Sequence, residues 1–116
     1  TDRCVKSHEY IFLFAKSKKY YFDADAIRIK DVRRGSVWTF NTASCSEAHF
    51  AVFPEDLPAL CIKAGTRKGD TVFDPFMGSG TTALIAQRLG RKWIGIELNP
   101  EYIEIIKRRT AQRELF

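Results

Sequence analysis

The 116 residues are 45% hydrophobic and 28% charged with a formal net charge of +5, a composition typical of one folded domain rather than a disordered chain. No stretch approaches the roughly 18 apolar residues of a membrane span and no secretory leader opens the sequence, so we expect a soluble, cytoplasmic protein. The cysteines (Cys4, Cys45 and Cys61) and the two histidines are scattered, which predicts neither disulfides nor a metal site.

The first predicted element is an N-terminal β-hairpin. Residues 10–14, "YIFLF", form a continuous apolar run. The polar "AKSKK" follows, and "YYF" at residues 20–22 is read as the second strand. Residues 23–46 lack clear periodicity, so they are predicted to be mainly loop, with one short strand near "SVWTF" at 36–40.

The remaining elements alternate between helix and strand. Helical spacing links Leu57, Leu60, Cys61 and Ala64, and Gly65 ends that helix. The chain then reads as a buried strand "TVFDPF" (71–76), a loop and helix "GSGTTALIAQRLG" (78–90), a buried strand "KWIGIEL" (92–98) and a helix "PEYIEIIKRRTAQR" (100–113). This alternation predicts the α/β class, with parallel strands joined by crossover helices.

The glycine loop between the two strands predicts a nucleotide-like ligand. Gly78 and Gly80 allow close approach of the backbone, and Glu97, about twenty residues further on, is placed to bind ribose hydroxyls. "GSGTTA" also fits the dinucleotide fingerprint, so a nicotinamide or flavin nucleotide competes with S-adenosylmethionine (SAM). Asp74 beside the loop would repel a pyrophosphate and attract an ammonium group, which favours SAM. No lysine follows the glycines, which excludes a P-loop.

Two segments carry a family resemblance. "HFAVFPEDLPALCIKAGTRKGDTVFDPFMGSGTTALIAQRLGRKWIGIELNPEYIEI" (49–105) resembles the SAM-binding part of restriction-modification DNA methyltransferases that modify the exocyclic amine of cytosine or adenine, in the subgroup whose catalytic motif precedes the glycine loop. "KSHEYIFLFAKSKKYYFDADAIR" (6–28) resembles a segment that follows their catalytic half. The resemblance implies a partial Rossmann-like methyltransferase fold, with 1–46 a hairpin and shortened recognition segment and 47–116 the SAM-binding part.

Transferred residue by residue, the resemblance implies a set of cofactor-binding residues. Several also have a structural interpretation: His49 as a histidine at a helix entrance, Thr81 and Thr82 as helix-start residues, Asn99 as a helix N-cap before Pro100, and Asp74 as a cap of nearby amides. The implied SAM ligands are Asp74, Phe76, Gly78, Ser79, Gly80, Thr81, Thr82, Glu97, Leu98, Asn99, His49, Phe50 and Ala51.

The resemblance also shows what is missing. The family's catalytic motif, a Ser, Asp or Asn followed by Pro-Pro and an aromatic residue, does not occur, and "NPEY" at 99–102 lacks the second proline. We therefore expect no catalytic residue here and no activity by this chain alone. It is read as part of a longer enzyme, as half of a split enzyme completed by another chain or another copy, or as a remnant. The alternative function is a non-catalytic SAM- or nucleotide-binding or assembly module.

Basic residues are densest in the N-terminal third. The resemblance makes double-stranded DNA the expected partner, and the alternative is a solvated charged turn. Tyr20 and Tyr21 could stack on a base or belong to the core. Lys107, Arg108 and Arg109 suit the negative end of the last helix dipole and are read as structural. The candidate phosphate-binding residues are Lys16, Lys18, Lys19, Arg28, Arg33 and Arg34, with Lys30 beside them.

Overall fold

A computed structural model of the chain describes residues 7–41 and 53–111. The predicted alternation of helix and strand after residue 53 is confirmed, and a short 3-10 turn precedes it. Pro58 lies in the first turn of the first helix, where a missing N–H costs nothing. The elements are the 3-10 turn Asp25–Ile27, α1 Asp56–Gly65, β1 Thr71–Asp74, α2 Thr81–Arg88, β2 Lys92–Gly95 and α3 Pro100–Ala111.

The two strands are parallel and joined by α2 as a crossover. The register pairs Val72 with Trp93 and Asp74 with Gly95. The strand predicted to span residues 92–98 ends at Gly95, although the Ile96 amide still donates to the Asp74 carbonyl at 3.0 Å. Because the strands are parallel, their carboxyl ends meet at one edge, where the loops after β1 and β2 lie side by side.

The helices cover one face of this sheet. Ile62 of α1 and Ile85 of α2 are buried together, with Val72 and Trp93 packed against them. A second cluster joins α3 to the glycine loop through buried Met77, Ala83 and Ile106, and Trp93 packs against it too. Burial of each large aliphatic side chain stabilises by about 1.5–3 kcal/mol. Trp93 therefore contacts both hydrophobic clusters.

The opposite face of the sheet is open in the part of the chain that the structure describes. Phe73 and Ile94 are register partners on this face, and they are 58% and 57% exposed. Ile96 continues the same alternation and is also exposed. Parallel sheets are normally covered on both faces, so an apolar face of this kind is characteristic of an incomplete layer.

The predicted N-terminal hairpin is wrong for this chain. Residues 10–14 form no strand, and neither do 20–22 or 36–40. The rings of Tyr10, Phe12 and Phe14 nevertheless follow one another at 6.0 Å between centroids. Side chains on both sides of this segment are exposed. A strand needs a neighbouring strand for its backbone hydrogen bonds, and the two strands in the described residues, β1 and β2, pair with each other.

The segment from Tyr21 to Arg34 packs beside α1. The Asp23 amide donates to the Ala64 carbonyl at 2.8 Å, and Ile27 is buried. Tyr21 is half-buried under the Arg67 guanidinium, 4.0 Å from the ring centroid, which favours the structural interpretation of this tyrosine. The segment predicted to be irregular therefore has defined contacts.

Other expectations concern cysteines, metals and membranes. Cys61 is half-buried in α1, and burial raises the pKa of its thiol, which favours the neutral form; Cys4 and Cys45 lie outside the described residues. Across residues 7–41 and 53–111, no cluster of three or more His, Cys, Asp or Glu is arranged to bind a metal. No helix among the same residues has the length and apolarity of a membrane span.

Candidate functional site

The glycine loop folds over the carboxyl end of β2. The Met77 amide donates to the Ile96 carbonyl at 2.9 Å, and the Gly80 amide donates to the Met77 carbonyl at 3.0 Å. Gly78 and Gly80 have positive φ angles of 54° and 83°, a conformation in which a side chain is strained. The loop thus forms a tight turn that leads into the N-terminus of α2.

Glu97 joins this loop to the loop that follows β2. One carboxylate oxygen accepts the Gly78 amide at 2.7 Å, and the other accepts the Asn99 amide at 2.8 Å. Each oxygen retains a further lone pair, so the carboxylate can hold the loops together and still accept hydrogen bonds from a ligand. Glu97 and the glycine loop, predicted from spacing to act together, are in direct contact.

Two glycines are required by close packing as well as by φ. A Cβ at Gly80 would lie 2.8 Å from Ile106 Cγ1, and a Cβ at Gly95 would overlap the Met77 side chain, with Met77 Cγ at 3.1 Å. Gly95 therefore makes room for Met77 under the loop. Gly80 lets α3 approach the start of α2.

Replacing Gly80 with alanine is expected to destabilise the fold more than the same change at Gly90. Both glycines have positive φ, 83° and 75°, which costs a side chain about 1–2 kcal/mol. Only Gly80 adds a steric conflict, worth about 1–3 kcal/mol, because the nearest atom at Gly90 is 3.9 Å away. Urea unfolding of the two variants measures the difference. Equal losses of stability would contradict the tight contact with Ile106.

The predicted contacts for a cofactor's apolar parts lie at the same edge. Phe76 is 89% exposed and Leu98 is 93% exposed, one in each loop beside Glu97. Asp74 is half-buried at the end of β1, and its Oδ1 accepts the Phe76 amide at 2.9 Å. The amide-capping interpretation of Asp74 is therefore present in the structure, and it leaves Oδ2 without a hydrogen bond to any described residue.

Thr81 and Thr82 begin α2, after Gly80 as N-cap. Their side chains are buried, so their free helix-start amides are better placed than their hydroxyls to meet a ligand. Ser79 is half-buried, and its hydroxyl and carbonyl oxygens accept hydrogen bonds from Arg109 at 3.1 and 2.8 Å. Arg109, read from sequence as a helix-end charge, is thus a residue of the site that sequence reasoning missed.

The "NPEY" segment begins α3. Asn99 Oδ1 accepts the Glu101 amide at 2.9 Å, and Pro100 is the first helical residue, so the helix-cap interpretation of Asn99 agrees with the structure. The pKa of the Tyr102 phenol is raised by desolvation and by the carboxylates of Glu97 and Glu101. Tyr102 therefore stays neutral at physiological pH.

The predicted DNA-binding residues lie in the segment before α1. Arg28 pairs with Asp25 at 2.7 Å, and Arg34 donates to the Ile27 carbonyl at 3.0 Å, so both have structural roles. Lys16, Lys18, Lys19 and Arg33 are exposed. The predicted SAM ligands His49, Phe50 and Ala51 lie outside the described residues.

Sequence comparison places these features among DNA methylases. The profile of the family described as DNA methylase matches residues 1–108. The type II methyltransferase M.SmaI of Serratia marcescens is 46% identical, covering 97% of this chain and 41% of its own length. M.Cfr9I of Citrobacter freundii is 48% identical, covering 93% of this chain and 38% of its own. The chain thus spans about two fifths of these relatives.

Structural comparison agrees. PvuII DNA methyltransferase (cytosine-N4-specific) superimposes with a TM-score of 0.70 at 28% identity, covering 83% of this chain and 38% of that one. The M1.HpyAVI–SAM complex superimposes with a TM-score of 0.64 at 33% identity, covering 78% and 44%. The predicted resemblance and the partial Rossmann-like α/β class are confirmed.

Proposed function

Because this chain belongs to the DNA methylase family, we propose that it is the SAM-binding part of a DNA methyltransferase that modifies the exocyclic amine of cytosine or adenine. The observation that carries the proposal is the position of Glu97. Its carboxylate lies at the carboxyl ends of both parallel strands and contacts the glycine loop at 2.7 Å. That is where a doubly wound sheet binds a ribose.

The residues at this edge match the chemistry of SAM. Glu97 would accept hydrogen bonds from the ribose hydroxyls, and the exposed rings and methyls of Phe76 and Leu98 would pack against apolar parts of the cofactor. Asp74 keeps one carboxylate oxygen for an ammonium group. When bound, SAM supplies a methyl group activated by a sulfonium. The residues of this chain would hold and orient that cofactor.

The charge of Asp74 argues against a dinucleotide. Asp74 presents a carboxylate next to the glycine loop, and a pyrophosphate placed there would meet like charge. Glu97 does not discriminate between the two ligands, because an acidic residue at its position also binds the ribose of a dinucleotide. SAM carries an ammonium and a sulfonium instead and has no phosphate. The electrostatics of the edge therefore favour SAM over NAD.

The catalytic part of the enzyme is proposed to lie outside this chain. No Pro-Pro sequence is present, and the chain spans 41% of the length of the Serratia relative. The open sheet face formed by Phe73, Ile94 and Ile96 supports this proposal, because its apolar side chains are exposed. We propose that a complementing catalytic half covers this face and completes the sheet.

DNA contacts are proposed for the exposed basic residues of the N-terminal third. Lys16, Lys18, Lys19 and Arg33 are available to phosphates, whereas Arg28 and Arg34 are engaged within the chain. Contacts of this kind add affinity that falls with salt and carry no sequence information. Recognition of the DNA sequence is therefore assigned to the rest of the enzyme.

Calorimetric titration of the full chain tests the cofactor assignment. We expect saturable binding of SAM and of S-adenosylhomocysteine, and no binding of NAD in a parallel sample. Asp74→Asn should weaken SAM binding about tenfold, as expected for loss of one charge-assisted hydrogen bond, and Asp70→Asn, in the turn before β1, should not. NAD binding would overturn the assignment. Failure of a folded chain to bind SAM would overturn it as well.

A further inference from the structure

Arg109 reaches from the last turn of α3 to the glycine loop, 30 residues away in sequence. Its Nη1 donates to the Ser79 carbonyl at 2.8 Å and lies 3.4 Å from Thr81 Oγ1. Its side chain is only 27% exposed. An arginine that merely complements a helix dipole interacts with the carbonyls at its own helix end. Arg109 instead contacts the loop proposed to bind the cofactor.

The peptide that Arg109 contacts is held at both ends. The Ser79 carbonyl accepts from Arg109, while the Gly80 amide on the same peptide donates to the Met77 carbonyl at 3.0 Å. Peptides next to glycine can reverse direction at low cost, because glycine tolerates both signs of φ. Reversal of the Ser79–Gly80 peptide would place its carbonyl oxygen where the Gly80 N–H group now points. The Arg109 hydrogen bond opposes that reversal.

Other residues fix the position of the Arg109 guanidinium. Its Nη2 lies 3.8 Å from Glu55 Oε1, and Glu55 Oε2 is paired with Arg88 at 2.8 Å. Ile106, three residues before Arg109 on the same helix face, packs directly under Gly80. The N-cap residue of α1, the start of α2 and the end of α3 therefore meet at the Arg109 side chain.

We propose that Arg109 is a positioning residue that locks the Ser79–Gly80 peptide and so preorganises the glycine loop for SAM without touching the cofactor. The identity of the ligand rests on the proposed function, whereas the positioning role rests on the hydrogen bonds of Arg109. A preorganised loop has less conformational entropy to lose on binding. Loss of the Arg109 hydrogen bond is therefore expected to weaken SAM binding and to increase the mobility of the loop.

The test combines amide hydrogen exchange of the ligand-free full chain with SAM titration, in Arg109→Gln and Arg109→Lys variants. In Arg109→Gln we expect exchange of the Gly80 amide to accelerate about tenfold and the Kd for SAM to rise about tenfold, the loss of one net charged hydrogen bond. Arg109→Lys keeps the charge but lacks the planar guanidinium group. Its exchange rate and its Kd for SAM should therefore lie between those of the unmodified chain and those of Arg109→Gln. Arg108→Gln removes the same charge from an exposed neighbour and should change neither quantity.

The two readouts separate this proposal from the proposed function. If the unmodified chain does not bind SAM, the proposed function fails, and exchange at Gly80 still decides the role of Arg109. Unchanged exchange at Gly80 in a folded Arg109→Gln chain would overturn the positioning role. Equal acceleration throughout α2 and α3 would also overturn it, because that pattern reports global stability. If Arg109→Gln does not fold by circular dichroism, the same criteria apply to Arg109→Lys.

Discussion

Replacing Glu97 with alanine is expected to raise the Kd for SAM at least about 100-fold. Hydrogen bonds to a charged group contribute about 1.5–3 kcal/mol each, and about 1.4 kcal/mol corresponds to a tenfold change in Kd. Glu97 is proposed to accept two from the ribose while it holds the amides of Gly78 and Asn99. The substitution removes ligand contacts and the link between the two loops together.

Two further variants make this experiment specific. Glu97→Gln keeps one acceptor oxygen, and its amide nitrogen can no longer accept from the backbone, so we expect an intermediate loss of about tenfold for one charged hydrogen bond. Glu101→Gln removes an exposed carboxylate one turn further along and should leave the Kd within twofold, about the effect of a surface change. SAM binding by a folded Glu97→Ala chain with unchanged Kd would contradict the ribose assignment.

The elements that could be predicted from sequence are those whose determinants are local. Periodic apolar residues and Gly65 define α1, and the glycine loop separates β1 from α2. Glu97 could be placed with its loop because strand length and parallel topology set the spacing between them. The strands β1 and β2 and the loop between them depend only on a short stretch of chain and on the crossover helix α2.

The elements that could not be predicted depend on distant partners. An apolar run such as residues 10–14 has strand character, yet it forms no strand among the described residues. Arg109 was read from its place in a helix, while its contacts lie 30 residues away. A usable signal was its spacing of three from Ile106, which places both side chains on the helix face that packs against the loop.

Methylation of duplex DNA is expected to be absent with this chain alone and to appear when the missing catalytic half is added. The measurement is transfer of a radiolabelled methyl group from SAM to DNA. The complementing half is the portion of the Serratia marcescens relative outside its match to this chain, which covers 41% of that protein. We expect incorporation only with both pieces present, and none when the chain carries Glu97→Ala.

The open sheet face offers a second, independent check on complementation. Phe73 is exposed in this structure, so Phe73→Asp should leave the folding and SAM binding of the isolated chain nearly unchanged. Burying that carboxylate against the catalytic half would cost several kcal/mol, so methylation should fall by at least about 100-fold. Val37→Asp, at an apolar residue that is 85% exposed and is not among the proposed DNA contacts, is the matched control. Methylation by the chain alone would contradict the proposed division of labour, and full complementation by Phe73→Asp would contradict docking on this face.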